Sequence, residues 1–161
     1  MTYFTYHQSP IGRLLLAGNG ACLERLHFSS GVKARGPDES WVEEAEAFAG
    51  VARQLTEYFA GERREFHVRL KPSGTPFQLA VWEELRGIPY GETTSYGQLA
   101  KRLRRPDASR AVGMANGSNP IAIIQPCHRV IGASGKLTGF GGGLDVKQSL
   151  LDLERGERRL F

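Results

Sequence analysis

Three side chains able to do chemistry stand in consecutive positions, Cys127, His128 and Arg129, directly after a β-branched run in Ile121-Ala-Ile-Ile-Gln-Pro-Cys-His-Arg-Val-Ile131. A thiolate is a good nucleophile, but a free thiol, with a pKa near ~8.5, needs a base to reach that form at neutral pH. His128 is the base nearest in sequence. Neighbouring side chains diverge by about 100° in a helical turn and about 180° in a strand, so the imidazole is expected to reach the thiol through a water. Glu154 lies on the border of the apolar stripe of the last helix, and a carboxylate there needs a partner if buried. Cys22, His7, His27 and His67 lack the short paired spacings of zinc ligands, so no metal is expected. Both cysteines are expected to be reduced, with Cys22 a small apolar core residue in a strand.

The elements that must position these groups divide into two halves. Thr2–Tyr6 and Arg13–Ala17 read as strands joined by the turn Ser9-Pro-Ile-Gly12, and Cys22–Phe28 completes an antiparallel meander with Cys22, Leu26 and Phe28 on one face. A loop over Ser29–Glu39 precedes a helix whose stripe is Trp41, Ala45, Phe48, Ala52, Leu55 and Phe59, with Ser40 and Glu43 as capping box and Gly61 as stop. Phe66–Leu70 adds one more strand. This half shows no catalytic constellation and is expected to be structural.

The segment 72–75 reads as a linker between an α/β domain, 1–71, and a second domain, 76–161. Thr75 and Pro76 open a helix with Phe77, Val81, Trp82 and Leu85 buried. Ser95 and Gln98 cap a second over Tyr96–Leu103, and Asp107 or Ser109 caps a third over Arg110–Asn116. That short pair reads as a helix-turn-helix. Gly113 costs ~1 kcal/mol inside a helix, which points to close approach by a partner. Asp145 with Gln148 caps the last helix, Val146–Arg155.

Charge follows the same division. Residues 1–75 hold 9 Lys+Arg and 9 Asp+Glu, whereas 76–161 hold 12 and 8, the whole of the +4. Ser95–Lys136 carries 7 basic residues against Asp107 alone, a field suited to a polyanion. The N-terminus shows no basic region followed by an apolar run, so a cytoplasmic location and no membrane partner are expected.

Pro-Cys-His-Arg-Val at 126–130, preceded by Asn119-Pro120 and Arg110-Ala-Val-Gly113 and followed by Gly139-Phe-Gly-Gly-Gly143, resembles the O6-alkylguanine-DNA alkyltransferases. The resemblance covers the second half closely and the first in general layout. It implies an α+β protein with an N-terminal ribonuclease-H-like domain and a C-terminal, mostly helical winged-helix (helix-turn-helix) domain. It implies repair of O6-alkylguanine in double-stranded DNA by base flipping and irreversible transfer of the alkyl group to Cys127, without a cofactor. It further implies that His128 is the base through a water, that Glu154 orients it, and that Asn119 braces the reactive turn. Arg110 would fill the gap left by the flipped base, and Tyr96 would meet the phosphate backbone or base edge. Phe140 would lie against the guanine, and Ser109, Ala111, Gly113, Met114 and Gly141 would share that substrate-facing surface. Arg129 is grouped with them, although holding the turn is the role that suits it better. The recognition helix would lie in the minor groove, the protein acting as a monomer, with cooperative binding along DNA as an alternative.

Three residues depart from the family pattern: Gln125 is polar where an aliphatic residue is usual, Phe140 lacks a hydroxyl, and Gly141 has no side-chain donor. They bear on alkyl-group size. A lesion-binding protein without transfer activity is opposed by Cys127. A cysteine hydrolase is opposed by the adjacency of Cys127 and His128, which is poor geometry for direct proton exchange.

Overall fold

The computed structural model describes residues 1–29 and 36–156. β1 (Tyr3–Ser9) and β2 (Gly12–Gly18) form a hairpin with Ser9 opposite Gly12, whose φ of +110° is one that L side chains avoid. β3 (Leu23–Phe28) pairs antiparallel with β2, and β4 (Val42–Glu43) lies parallel to β1, giving the order β3-β2-β1-β4. Part of the expected 29–39 loop, residues 30–35, lies outside the described residues.

Four expectations for this half change. A register shift sets Gly18 opposite Leu23, so Leu23 takes the inward place and Cys22 sits half-buried in the turn before the strand. The turn is tight enough that a Cβ on Gly18 would lie 2.1 Å from the Cys22 carbonyl oxygen. The helix starts later than its periodicity suggests, with a 3₁₀ turn at Ala45–Phe48 running into α1 (Ala49–Phe59). Val42 and Glu44 instead donate backbone hydrogen bonds to Thr2 and Phe4, and Ser40 bonds Asp38, so the Ser40–Glu43 box does not form. Phe66–Leu70 contributes a single bridge, Leu70 to Leu23.

In the second half, Thr75 and Gln78 make a reciprocal capping box for α2 (Pro76–Arg86), which buries Val81, Trp82 and Leu85. The 72–75 segment is not slack: a Cβ on Gly74 would come within 2.6 Å of the Trp82 ring. β5 (Thr94–Ser95) leads into α3 (Tyr96–Arg102), where Ser95 caps but Gln98 bonds Thr94 in place of returning the cap. α4 (Ser109–Gly117) packs on α2 and α3; neither Asp107 nor Ser109 caps it, the N-cap position being Ala108. α5 (Leu144–Glu154) starts one residue before Asp145, at a Gly143 with φ +97°, and Gln148 bonds Asp152.

The halves share a core. Leu14, Leu16 and Leu26 of the sheet and Leu55 of α1 pack with Ile121, Ile123 and Leu150. The free edge of β3 is covered by the segment leading to Cys127: Leu26 N–H donates to the Pro120 carbonyl at 2.9 Å, and Ala122 N–H to the Leu26 carbonyl at 3.1 Å. No described helix is long and apolar enough to cross a membrane.

Leu55→Ala is expected to cost about 2–5 kcal/mol in urea unfolding. The shared core predicts the same midpoint shift at Trp82, read by fluorescence in a Trp41→Phe background, as in far-UV circular dichroism. An unmoved Trp82 transition would show that the halves unfold separately.

Candidate active site

The backbone around the thiol is bent twice. Ile124 N–H bonds the Ala122 carbonyl at 2.8 Å across Ile123, a β-branched residue held at φ +70°. Such a conformation costs on the order of 1–3 kcal/mol and persists only where its surroundings enforce it. Ile123 is 1% exposed. The second bend takes Cys127 N–H to the Gln125 carbonyl at 2.7 Å over Pro126, and Cys127–Arg129 then form one 3₁₀ turn. β6 (Val130–Ile131) leaves it parallel to β5.

Asn119 ties these bends together. Its Nδ2 donates to the Gln125 carbonyl at 2.7 Å, while its Oδ1 accepts from Ile121 N–H at 3.0 Å and from Gln125 Nε2 at 2.7 Å. The polar Gln125 is therefore a satisfied member of the brace. Asn116 Nδ2 donates to the Cys127 carbonyl at 3.4 Å.

Behind the turn lies a buried ionic cluster centred on Glu154. Oε1 accepts from Arg129 Nε at 2.7 Å; Oε2 accepts from Arg129 Nη2 at 3.0 Å, His128 Nε2 at 2.7 Å and the Tyr58 hydroxyl at 2.6 Å. Burial pushes the carboxyl up, but the hydrogen bond from His128 and the hydrogen bonds and charge of Arg129 outweigh it and hold Glu154 well below the usual carboxylate range. His128 shifts the other way: burial lowers it most, with Arg129 and Lys147 adding to the effect and Glu154 offsetting part of it. The imidazole is thus neutral at pH 7. Since Glu154 is ionised, Nε2 carries the proton and Nδ1 keeps the lone pair; Nδ1 has no partner among the described residues.

Burial raises the Cys127 thiol, and an Asn119 hydrogen bond and the charge of Lys147 pull it partly back. Lys147 is fully buried, donating to the Val130 carbonyl at 2.7 Å and that of Thr138 at 3.3 Å. The cysteine is a protonated thiol at rest, with a base close in sequence and a cation in its field.

Cys127, Asn116, Asn119, Phe140 and Gly141 line a cavity of about 450 Å³ that reaches β3. A second, of about 880 Å³, is lined by Tyr96, Ser109, Arg110, Gly113 and Met114 and shares Gly139, Phe140 and Gly141 with the first. Phe140 stands at the boundary, its ring edge against Phe28 with centroids 5.4 Å apart. On α4, Arg110, Ala111 and Met114 are exposed, Met114 at 78%, while Val112 and Ala115 face inward. Ala111 is thus free of the core. Tyr96 and Thr138 share a hydrogen bond between their hydroxyls. Among the described residues no His, Cys, Asp or Glu cluster could hold a metal ion.

Arg129 needs correction as a substrate- or DNA-contacting residue. It is 6% exposed, its third bond goes from Nη1 to the Ile88 carbonyl at 2.7 Å, and its guanidinium lies against the Tyr90 ring. A bidentate pair with a buried carboxylate outcompetes exposure to solvent, so it holds the turn. Sequence reading missed Tyr58, Lys147 and Asn116. Spacing carried a signal for two of them: Tyr58 stands three residues after Leu55 on the inner stripe, and Lys147 shares a face with Leu150 and Glu154.

Residues 2–72 match the family described as 6-O-methylguanine DNA methyltransferase, ribonuclease-like domain, and residues 76–156 that described as 6-O-methylguanine DNA methyltransferase, DNA binding domain. The methylated-DNA–protein-cysteine methyltransferase of Methanosarcina acetivorans is 55% identical over 152 residues, covering 94% of this chain and 97% of that one. The crystal structure of the Mycobacterium tuberculosis O6-methylguanine methyltransferase superposes with a TM-score of 0.90 at 51% identity, covering 100% of this chain and 97% of that one. That of the M. tuberculosis OGT in complex with DNA does so with a TM-score of 0.90 at 52% identity, covering 96% and 93%.

The Glu154 cluster links stability to pH. As pH falls below 6.5, the ordinary histidine value, the unfolded chain takes up a proton that buried His128 resists. Below 4.5, the ordinary glutamate value, the unfolded carboxyl gains one that the folded Glu154 refuses. Urea midpoints should therefore decline from near neutrality and more steeply in acid. Glu154→Gln, which strands Arg129, is expected to cost about 3–5 kcal/mol at pH 7 and to flatten the acid part of the profile. Parallel profiles for the two proteins would contradict this.

Proposed function

The chain belongs to the 6-O-methylguanine DNA methyltransferase family, and from that membership and the site geometry we propose that it repairs O6-alkylguanine in duplex DNA by moving the alkyl group onto Cys127 Sγ. One observation carries the assignment of residues: a buried thiol on a cavity wall, next in sequence to a neutral imidazole whose Nε2–H is bound to an ionised carboxylate. The duplex is the partner. The O6 atom is out of reach within the stack, so the nucleotide must be extruded, which costs least at a poorly paired lesion.

In the proposed reaction, His128 Nδ1 takes the thiol proton through a bridging water, and the resulting imidazolium is stabilised by Glu154. The thiolate attacks the sp³ carbon on O6. A C–S bond forms, the C–O bond breaks, and its electron pair passes to the guanine oxygen; the guanine takes up one proton from solvent as the His128 imidazolium returns the thiol proton to solvent, leaving both neutral. The Tyr96 hydroxyl, poised beside Thr138, or a backbone amide of the 139–141 loop stabilises that oxygen as it departs. The product is a thioether. It has no easy hydrolytic exit, so each molecule acts once.

Asn119 keeps the reactive turn in shape for this chemistry. Arg110 enters the space left by the flipped base, with Ser109, Ala111, Gly113 and Met114 against the minor groove and Phe140 against the guanine. The small side chains of α4 suit a narrow groove. Residues 1–71 serve as the supporting domain, 72–75 as the connection and 76–161 as the DNA-binding and acceptor domain. The protein works in the cytoplasm as a monomer or as cooperatively loaded copies on DNA.

Duplex DNA bearing labelled O6-methylguanine should transfer its label to Cys127 in a one-to-one burst, located by peptide mass spectrometry. Full transfer by Cys127→Ala, or continued turnover, would overturn the assignment. Arg110→Ala should slow transfer from duplex DNA more than from the free modified base, and binding should weaken steeply with salt.

A further inference from the structure

We propose that Tyr58, on the helix of the first half, is a positioning residue for the transfer reaction, setting the basicity of His128 through the oxygen of Glu154 that they share. The proposal rests on the reading of Cys127 and His128 given above. Tyr58 is fully buried, and its hydroxyl donates to Glu154 Oε2 at 2.6 Å, the same atom that accepts His128 Nε2–H at 2.7 Å. The bond spans the two halves of the molecule. Packing alone does not ask for the hydroxyl, because phenylalanine would fill the same space against Phe59, Phe66 and Tyr90.

The electrostatic consequence has a definite sign. Burial, followed by the Glu154 charge, keeps the Tyr58 phenol protonated, so it always donates. Each donor on Oε2 draws negative charge away from the His128 bond and makes an imidazolium less favourable. The other charged or titratable groups around the His128–Glu154 pair are Arg129 from the reactive turn, Tyr90 from the loop after α2, and Lys147 about two turns earlier on α5, whose charge acts on His128. Arg129 and Lys147 also oppose protonation of His128, and Tyr90, neutral and half-buried, adds no charge. Tyr58 therefore helps to keep the base free of its proton until Cys127 delivers one.

The test compares wild type with Tyr58→Phe in single-turnover transfer of label from O6-methylguanine duplex across pH 5–9. The acid limb of the rate profile should move to higher pH in Tyr58→Phe. On that limb the variant should be on the order of threefold slower or more, as when a minor part of a charge-assisted hydrogen bond is passed to the imidazole. The His128 titration, followed by NMR, should move the same way. Site-specific 3-fluorotyrosine at position 58, a stronger donor of nearly the same shape, should move both to lower pH, and it keeps the test open if Tyr58→Phe does not fold. Profiles and titrations that coincide with wild type, or shifts of the same sign for both replacements, would overturn the proposal. A wild-type protein that takes up no label would instead overturn the reading beneath it.

Discussion

A carboxylate with 1% of its side chain exposed can remain ionised only if the protein surrounds it with donors, and Glu154 has them on both oxygens. Much else follows from that need. Arg129 is drawn inward and lost to the surface, His128 is held in the tautomer that leaves Nδ1 available, and Tyr58 connects the first half to the last residue of α5. The chain also comes close here: a Cβ on Gly91, at φ +81°, would lie 3.1 Å from the Glu154 carbonyl oxygen. A buried ion pair contributes little net stability compared with apolar packing, but losing one partner is costly, so the cluster specifies geometry more than it adds stability.

The reactive turn shows what that geometry serves. A β-branched residue at positive φ and two three-residue bends would not hold this shape in a free loop. They are held by the β3 edge on one side, Asn119 and Gln125 on the other, and the shared apolar core beneath. The thiol is thereby presented to the cavity with its backbone already ordered, so little conformational entropy remains to be lost as substrate enters. Burial also keeps it protonated and guards it from adventitious chemistry, at the expense of needing a base.

The face proposed to meet the substrate is built on different terms. α4 presents Arg110 and otherwise small or flexible side chains, and Phe140 separates the outer groove from the cavity that contains Cys127. The 78% exposure of Met114, with Ala111 exposed on the same helix, suits a face that is covered when a partner binds. The positive charge of this half then supplies attraction without sequence preference, as expected of a protein that must search for rare lesions.

Local order explains which features could be read from the sequence alone. The Ser9–Gly12 turn, the Thr75–Pro76 cap, the short helix pair and the Cys127–His128–Arg129 run depend on neighbouring residues, and the five-residue reactive motif led to the family. Caps and helix starts failed where a longer-range backbone partner won, as when Val42 and Glu44 joined β1 and the Ser40 box was left unformed. Glu154 stood out in the sequence as a carboxylate on the border of an apolar stripe, whereas Tyr58, three residues after Leu55, did not, and nothing marked the two as partners. That pairing joins residues 96 positions apart. Only the packing of α1 against α5 and the reactive turn could decide it, because a buried donor takes the acceptor that the fold brings within reach, and nothing in the local sequence records which one that is.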